Sequence, residues 1–178
     1  VDLIFGIQEN KMRFKSDGIY FSDFQKLWNH PFINAILSDT EKATVVRLEH
    51  EIIKRNSIFL SQKNIKIGEI GDKIMDLVFK PWKDDWLESI LTIRELNTEI
   101  FKHLTDAFDF EKAILQGFDT ALIDFENIAK EGLPTMNLRS FKTLFNQHWN
   151  LKNIAYHGNP MEGLQIMGLL ETRLLDFE

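Results

Sequence analysis

The chain has 178 residues, of which 44% are hydrophobic and 27% charged, and this suits one domain with its own hydrophobic core. A net charge of −6 argues against a protein that coats nucleic acid over its whole surface, because phosphate binding needs clustered lysine and arginine. The absence of cysteine excludes disulfides, thiolate zinc sites and cysteine nucleophiles and suits a cytoplasmic protein, and no apolar run approaches the roughly 18 residues of a membrane span.

The expected fold is all-α: mainly helical, with antiparallel helix pairs and at most a few short strands, one of them near the C-terminus. Ser22 precedes Phe24, Leu27 and Trp28, with Gln25 three residues on, a capping-box start for a helix. Pro31 suits the first turn of a short helix that runs to Leu37. Ser38 and Glu41 repeat the capping-box signature and open a helix carrying Val45, Leu48, Ile52 and Ile53. Over residues 57–67, Ile65 and Ile67 alternate with polar residues, which leaves a short strand or an extended connector open there. Gly68 and Gly71 punctuate the chain before a helix over 72–79 that Pro81 stops.

Two long helices come next. Residues 84–104 place Trp86, Ile90, Ile93, Leu96, Ile100 and Leu104 at steps of three and four. Residues 110–130 do the same with Ile114, Phe118, Ala121, Phe125 and Ile128. The short loop between them predicts an antiparallel pair. Gly132 and Pro134 stop the second helix. A last helix over 138–149 carries Phe141, Phe145 and Trp149 on one face. His157-Gly158-Asn159-Pro160 then turns the chain toward a strand over 164–169.

Few residues suggest chemistry. His50-Glu51 begins like a zinc-protease helix, but Lys54 stands where the second histidine is needed. Glu99 and His103, one helical turn apart, offer two groups to a metal or, more simply, pair with each other. Asp84 and Asp85 at a helix start complement the helix dipole without any catalytic role. Neither a Walker-type phosphate loop nor a Gly-x-Ser-x-Gly elbow occurs. No catalytic, metal or cofactor site is therefore expected.

Charge is distributed unevenly. Residues 84–131 hold 12 acids against 4 lysines and arginines, whereas residues 132–161 hold no acid and contain Arg139, Lys142, Lys152 and two histidines. DNA contact, if present, is expected at those three cations. Phe141, Phe145, Trp149 and Tyr156 beside them suggest a basic-aromatic surface for single-stranded DNA, with bases stacked on rings. The spacing of four favours a core stripe instead, with Arg139 and Lys142 on the polar face.

Residues 163–177 read Gly-Leu-Gln-Ile-Met-Gly-Leu-Leu-Glu-Thr-Arg-Leu-Leu-Asp-Phe. An apolar strand, a polar turn of Glu171, Thr172 and Arg173, and then Leu175-Asp176-Phe177 resemble motif V of superfamily-one DNA helicases of the UvrD/RecB type. Nearer the other end, Ile19-Tyr20-Phe21-Ser22-Asp23-Phe24 followed by Leu27-Trp28-Asn29-His30-Pro31-Phe32-Ile33 resembles a segment of AddB-like and RecC-like subunits of bacterial helicase–nucleases. In that family the segment enters a helical insertion equivalent to the 2B subdomain, and the insertion ends at motif V.

The resemblance implies a 2B-like helical accessory domain over 1–162 and the start of a motif V-like strand and turn over 163–178. It implies a parent with a helicase-like core and a C-terminal PD-(D/E)XK nuclease, processing double-strand breaks for recombinational repair. ATP and Mg are implied for that parent, whereas this window holds no catalytic residue and no cofactor. Implied partners are the rest of the parent, an AddA-like subunit and, weakly, DNA; no membrane is implied. Motif V-like positions are Gly168, Glu171, Thr172, Arg173 and Asp176. Gly168 replaces the threonine of an active motor and Leu174 replaces a glycine, which resembles the degenerate motor of an AddB-type subunit. Val1 in place of an initiator methionine, and a motif cut short at Glu178, lead to the expectation of a piece of a longer protein. The alternative is a stand-alone helical protein-interaction module with no nucleic-acid role.

Overall fold

The computed structural model describes residues 2–14, 18–82, 86–132, 134 and 136–152. Among them the expected all-α architecture holds, with helices α1 (Asp2–Phe14), α2 (Phe21–Trp28), α3 (Pro31–Ile36), α4 (Asp39–Lys54), α5 (Glu69–Phe79), α6 (Trp86–His103), α7 (Asp109–Lys130) and α8 (Leu138–Asn150). Two short strands, β1 (Gly18–Tyr20) and β2 (Phe59–Ser61), form an antiparallel pair that sets Ile19 opposite Leu60. The strand expected over 164–169 lies outside the described residues. No helix among the described residues is long and apolar enough to cross a membrane.

Local signals place several elements where they were expected. Pro31 occupies the first turn of α3. The capping box of α4 is complete: the Ser38 hydroxyl accepts from the Glu41 N–H, and the Glu41 carboxylate accepts from the Ser38 N–H at 3.0 Å. Every apolar residue named on the first long helix is buried, from Trp86 to Leu104.

Other expectations are corrected. Helix α1 and strand β1 lie outside the elements foreseen from sequence, whereas β2 falls within residues 57–67, where the sequence admits a short strand. Ser22 is not a cap: α2 begins at Phe21, directly after Tyr20, and no side chain caps it. The Phe21 N–H is held by the Ile58 carbonyl at 2.9 Å, so the neighbouring chain supplies what a capping side chain would have. The helix expected over 72–79 starts earlier, at Glu69. The buried face of α7 is rotated relative to the expected stripe: Leu115, Ala121, Leu122 and Phe125 are inside, while Ile128 is exposed. On α4, Ile53 is likewise exposed.

Two apolar clusters make up the interior. One gathers Ile7, Ile19, Phe24, Leu27, Trp28, Ile33, Ile74, Val78, Leu96, Ile100 and Leu115. The other gathers Phe5, Trp82, Trp86, Ile90, Ile93, Leu122, Phe125, Phe141 and Phe145. Helices α1, α6 and α7 contribute to both, α1 through Ile7 and Phe5, α6 through its two halves, and α7 through Leu115 on one side and Leu122 and Phe125 on the other.

Buried polar groups tie these elements together. Gln8 on α1 donates from Nε2 to the Val78 carbonyl at 2.7 Å and the Lys80 carbonyl at 3.0 Å, and its Oε1 accepts from the Trp82 N–H at 3.1 Å. It satisfies carbonyls that the end of α5 leaves unpaired. Glu41 reaches beyond its own cap: Oε1 accepts from the Ile70 and Gly71 N–H groups, each at 3.0 Å, at the start of α5. A Cβ on Gly68 would stand 2.5 Å from the Glu41 side chain, so the close approach of the two helix starts needs glycine there. Helices α6 and α7 run antiparallel, as expected, with Asn97 bonded to the Leu115 carbonyl at 2.9 Å. Arg94 reaches Asp119 at 3.1 Å and Glu126 at 2.6 Å.

Candidate functional site

DNA contact is expected on α8 and just beyond its C-terminal end. Asn137 caps this helix, its side-chain oxygen accepting from the Ser140 N–H at 2.9 Å. Leu138, Phe141 and Phe145 face inward and are buried. Phe141 lies among Phe5, Trp86, Phe125 and Phe145, with ring centroids 5.7–5.9 Å away. The stripe at spacing four is therefore core, and these two rings are not a stacking platform. Trp149 is half-buried and meets Phe118 edge-on at 5.3 Å. Tyr156 lies outside the described residues.

The opposite face of α8 forms one wall of an open groove of about 860 Å³, with Glu9 and Met12 of α1 on the other side. Arg139 and Lys142 both line it, together with Thr143, Asn146 and Gln147. The helical step of three brings the two cations to one surface. Lys142 lies 3.5 Å from the Asp2 carboxylate, which is itself largely exposed, and Asn146 donates to the same oxygen at 3.2 Å. With Asp2 so open to solvent the pair is weak, although the Lys142 side chain is itself half-buried.

Lys152 is placed elsewhere. Its ammonium donates to Asp124 on α7 at 2.8 Å, and His148 approaches the same carboxylate oxygen at 3.5 Å. The Lys152 hydrogen bond, opposed by burial, holds the Asp124 carboxyl below its ordinary pKa. Of the three expected cations, the structure brings Arg139 and Lys142 together and uses Lys152 to fasten the end of α8 to α7. The motif V-like residues Gly168, Glu171, Thr172, Arg173 and Asp176 lie outside the described residues.

The candidate metal pair is an ion cluster. Glu99 Oε1 meets His103 Nε2 at 3.0 Å, and Glu99 Oε2 accepts from Lys73 at 2.6 Å. The Lys73 hydrogen bond is the main cause of a lowered Glu99 pKa. Its lysine comes from α5, 26 residues away, a long-range partner that no local spacing announces. Among the described residues no cluster of three or more histidines and carboxylates suits a metal ion.

Two features were not foreseen. Phe14, Tyr20 and Phe59 form a ring cluster with centroids 5.6–6.0 Å apart, and Phe14, Phe59 and the neighbouring Ile58 are exposed. An apolar pocket beside Asn97, open to solvent on one side, lies between the two interior clusters. Both arise because distant segments meet, and no spacing pattern marks either.

By fold and surface, the described residues define a mainly helical protein with one small strand pair and a polar, cation-bearing groove along its last helix. No family model, no curated protein and no solved structure matches the chain.

Proposed function

We propose that this chain is a non-catalytic helical accessory module of an AddB-like helicase–nuclease. In this role it serves as scaffold and as a contact for DNA or a partner subunit during double-strand-break processing. The resemblance of residues 19–33 and 163–177 to that family motivates the reading, and a cytoplasmic location goes with it. The helical fold is compatible with a 2B-like insertion. The segment 19–33 also has a coherent structural role: Phe24, Leu27, Trp28 and Ile33 are core, and Asp23, itself buried, accepts both hydrogen bonds from the Asn10 amide. ATP turnover with Mg, and strand cleavage, belong on this reading to the rest of the parent and to its AddA-like partner.

The observation that carries the DNA contact is that the exposed Arg139 and the half-buried Lys142 both line the groove along α8. Two phosphate contacts give weak binding with a steep salt dependence, because each releases counterions. In fluorescence anisotropy with a duplex carrying a single-stranded tail, weak binding is expected at low salt. Replacing both residues by alanine should reduce the log–log salt slope by roughly 2. Salt-insensitive binding, or none at low salt, removes the DNA contact from the reading.

One observation favours a second reading, a protein-interaction module with no nucleic-acid role. The exposed cluster of Phe14, Ile58 and Phe59 is an apolar surface of the kind that protein partners cover. Size-exclusion chromatography of the chain with the remainder of the parent separates the two. Joint elution supports the first reading; separate elution with no DNA affinity supports the second, a stand-alone module.

A further inference from the structure

Three segments far apart in sequence meet at one surface: the end of α1, the strand pair, and the turn that follows β2. Ile19 and Leu60 are cross-strand partners and both are buried. Strand alternation therefore turns the next pair, Tyr20 and Phe59, to the outer face. On the same face Gly18 lies opposite Ser61, two small residues that keep the sheet surface low beside the rings. Phe14, the last residue of α1, joins them, its ring centroid 5.6 Å from that of Phe59 and 6.0 Å from that of Tyr20. Phe14 is 44% exposed and Phe59 43%, an unusual amount of aromatic surface to leave in water at one place.

Cations accompany these rings. The Arg13 guanidinium lies 5.6 Å from the centroid of the Phe14 ring. Lys11 borders the small cleft that Phe14, Tyr20 and Phe59 share. It also lines a neighbouring open groove of about 620 Å³, which carries Ser61, Lys63 and Lys66 as well. Two acids border that groove, and both have partners. Asp72 accepts from the Ile67 N–H at 2.9 Å and from Lys66 at 3.3 Å, and Asp76 accepts from Gln62 at 3.4 Å. The Lys66 side chain is 83% exposed, so its ion pair is weak and easily exchanged.

We infer that this surface binds single-stranded DNA, with bases stacked on Phe14, Tyr20 and Phe59 and phosphates along the lysines of the groove. The rings select unpaired bases, because bases inside a duplex are already stacked on one another and offer no free face. The cations select a polyanion over an apolar protein partner. The choice of DNA over RNA rests on the function proposed above. The site itself is separate from the α8 groove, with which the lysine groove shares no lining residue.

The probe is fluorescein-labelled oligothymidine, compared with an abasic oligomer of the same length that keeps the phosphates and lacks the bases. In anisotropy at low salt the 178-residue chain should bind oligothymidine roughly tenfold tighter than the abasic oligomer. Phe59→Leu keeps an apolar side chain on β2 and removes the ring. It should lose that margin while the helical circular dichroism signal is retained. Phe14→Leu, at the exposed end of α1, gives the same reading if Phe59→Leu fails to fold. Arg139→Ala combined with Lys142→Ala should leave the margin unchanged, so failure of this site and failure of the α8 contact are read separately. Equal affinity for the two oligomers, a margin that survives loss of the rings, or no binding at low salt overturns the site. Tighter binding of oligouridine than of oligothymidine overturns the choice of DNA.

Discussion

Phe141→Ala is expected to lower the unfolding free energy by about 3–5 kcal/mol, the range for removing a fully buried aromatic side chain. Phe141 is 0% exposed, and four other aromatic rings pack around it, drawn from α1, α6, α7 and α8 itself. Alanine leaves a cavity that these rings cannot jointly close, because each is also held by other neighbours. The edge-on and tilted ring contacts add to the loss beyond simple area. Urea denaturation followed by circular dichroism should show a lower midpoint with an unchanged slope. Leu144→Ala, one turn away on the exposed side of α8, should stay within about 0.5 kcal/mol of the original. A Phe141→Ala cost below about 1 kcal/mol would mean that α8 is not docked against those rings.

The second large effect is expected at Glu41, which is 5% exposed. One oxygen serves the Ile70 and Gly71 N–H groups, and the other serves the Ser38 N–H at 3.0 Å and the Ser38 hydroxyl at 2.7 Å. The carboxylate thus closes two helix N-termini at once, where the dipoles of both helices favour a negative charge. Glu41→Ala strands donors at both ends and should cost about 2–4 kcal/mol. Glu41→Gln should cost nearly as much, since its NH2 group must face donors on one side or the other.

The same residue carries a pH signature. Burial alone would raise the Glu41 pKa, but hydrogen bonds from Gly71, Ser38 and Ile70 outweigh it and hold the carboxyl below its ordinary value. The folded state therefore binds this proton less readily than the unfolded state. Its contribution is complete above the unfolded carboxyl value of about 4.3 and is lost as pH falls through the lower folded value. Glu99 and Asp124 are shifted the same way, so the difference between the original chain and Glu41→Gln isolates Glu41. That difference should shrink as the pH is lowered through the acid range. Stability curves that stay parallel from about pH 7 to about pH 3 would sink the double-cap assignment.

The behaviour of α8 shows how far spacing alone carries. Phe141 and Phe145, one turn apart, belong to the core as their period requires, and Arg139 and Lys142 fall on the polar face for the same reason. The period says nothing about which acids lie across the gap. In the sequence Lys152 is equivalent to the other two cations, yet Asp124 on α7 claims it, and only the packing of α7 against α8 brings those residues together. On α7 the aromatic spacing yields an approximate stripe, while the partner helices select Leu115 and Leu122 as buried positions.

What the amino-acid order determined by itself was local: the Ser38–Glu41 cap, the proline start of α3, the inward face of α6, and the absence of thiol chemistry. These come from interactions within a turn or two of helix, where sequence distance and spatial distance coincide. What only the tertiary structure decided was long-range: the pairing of β1 with β2, the place of α1 between two cores, the second helix start held by Glu41, and the pocket beside Asn97. Each joins segments tens of residues apart, and each depends on the packing and hydrogen-bond partners that the whole chain brings together.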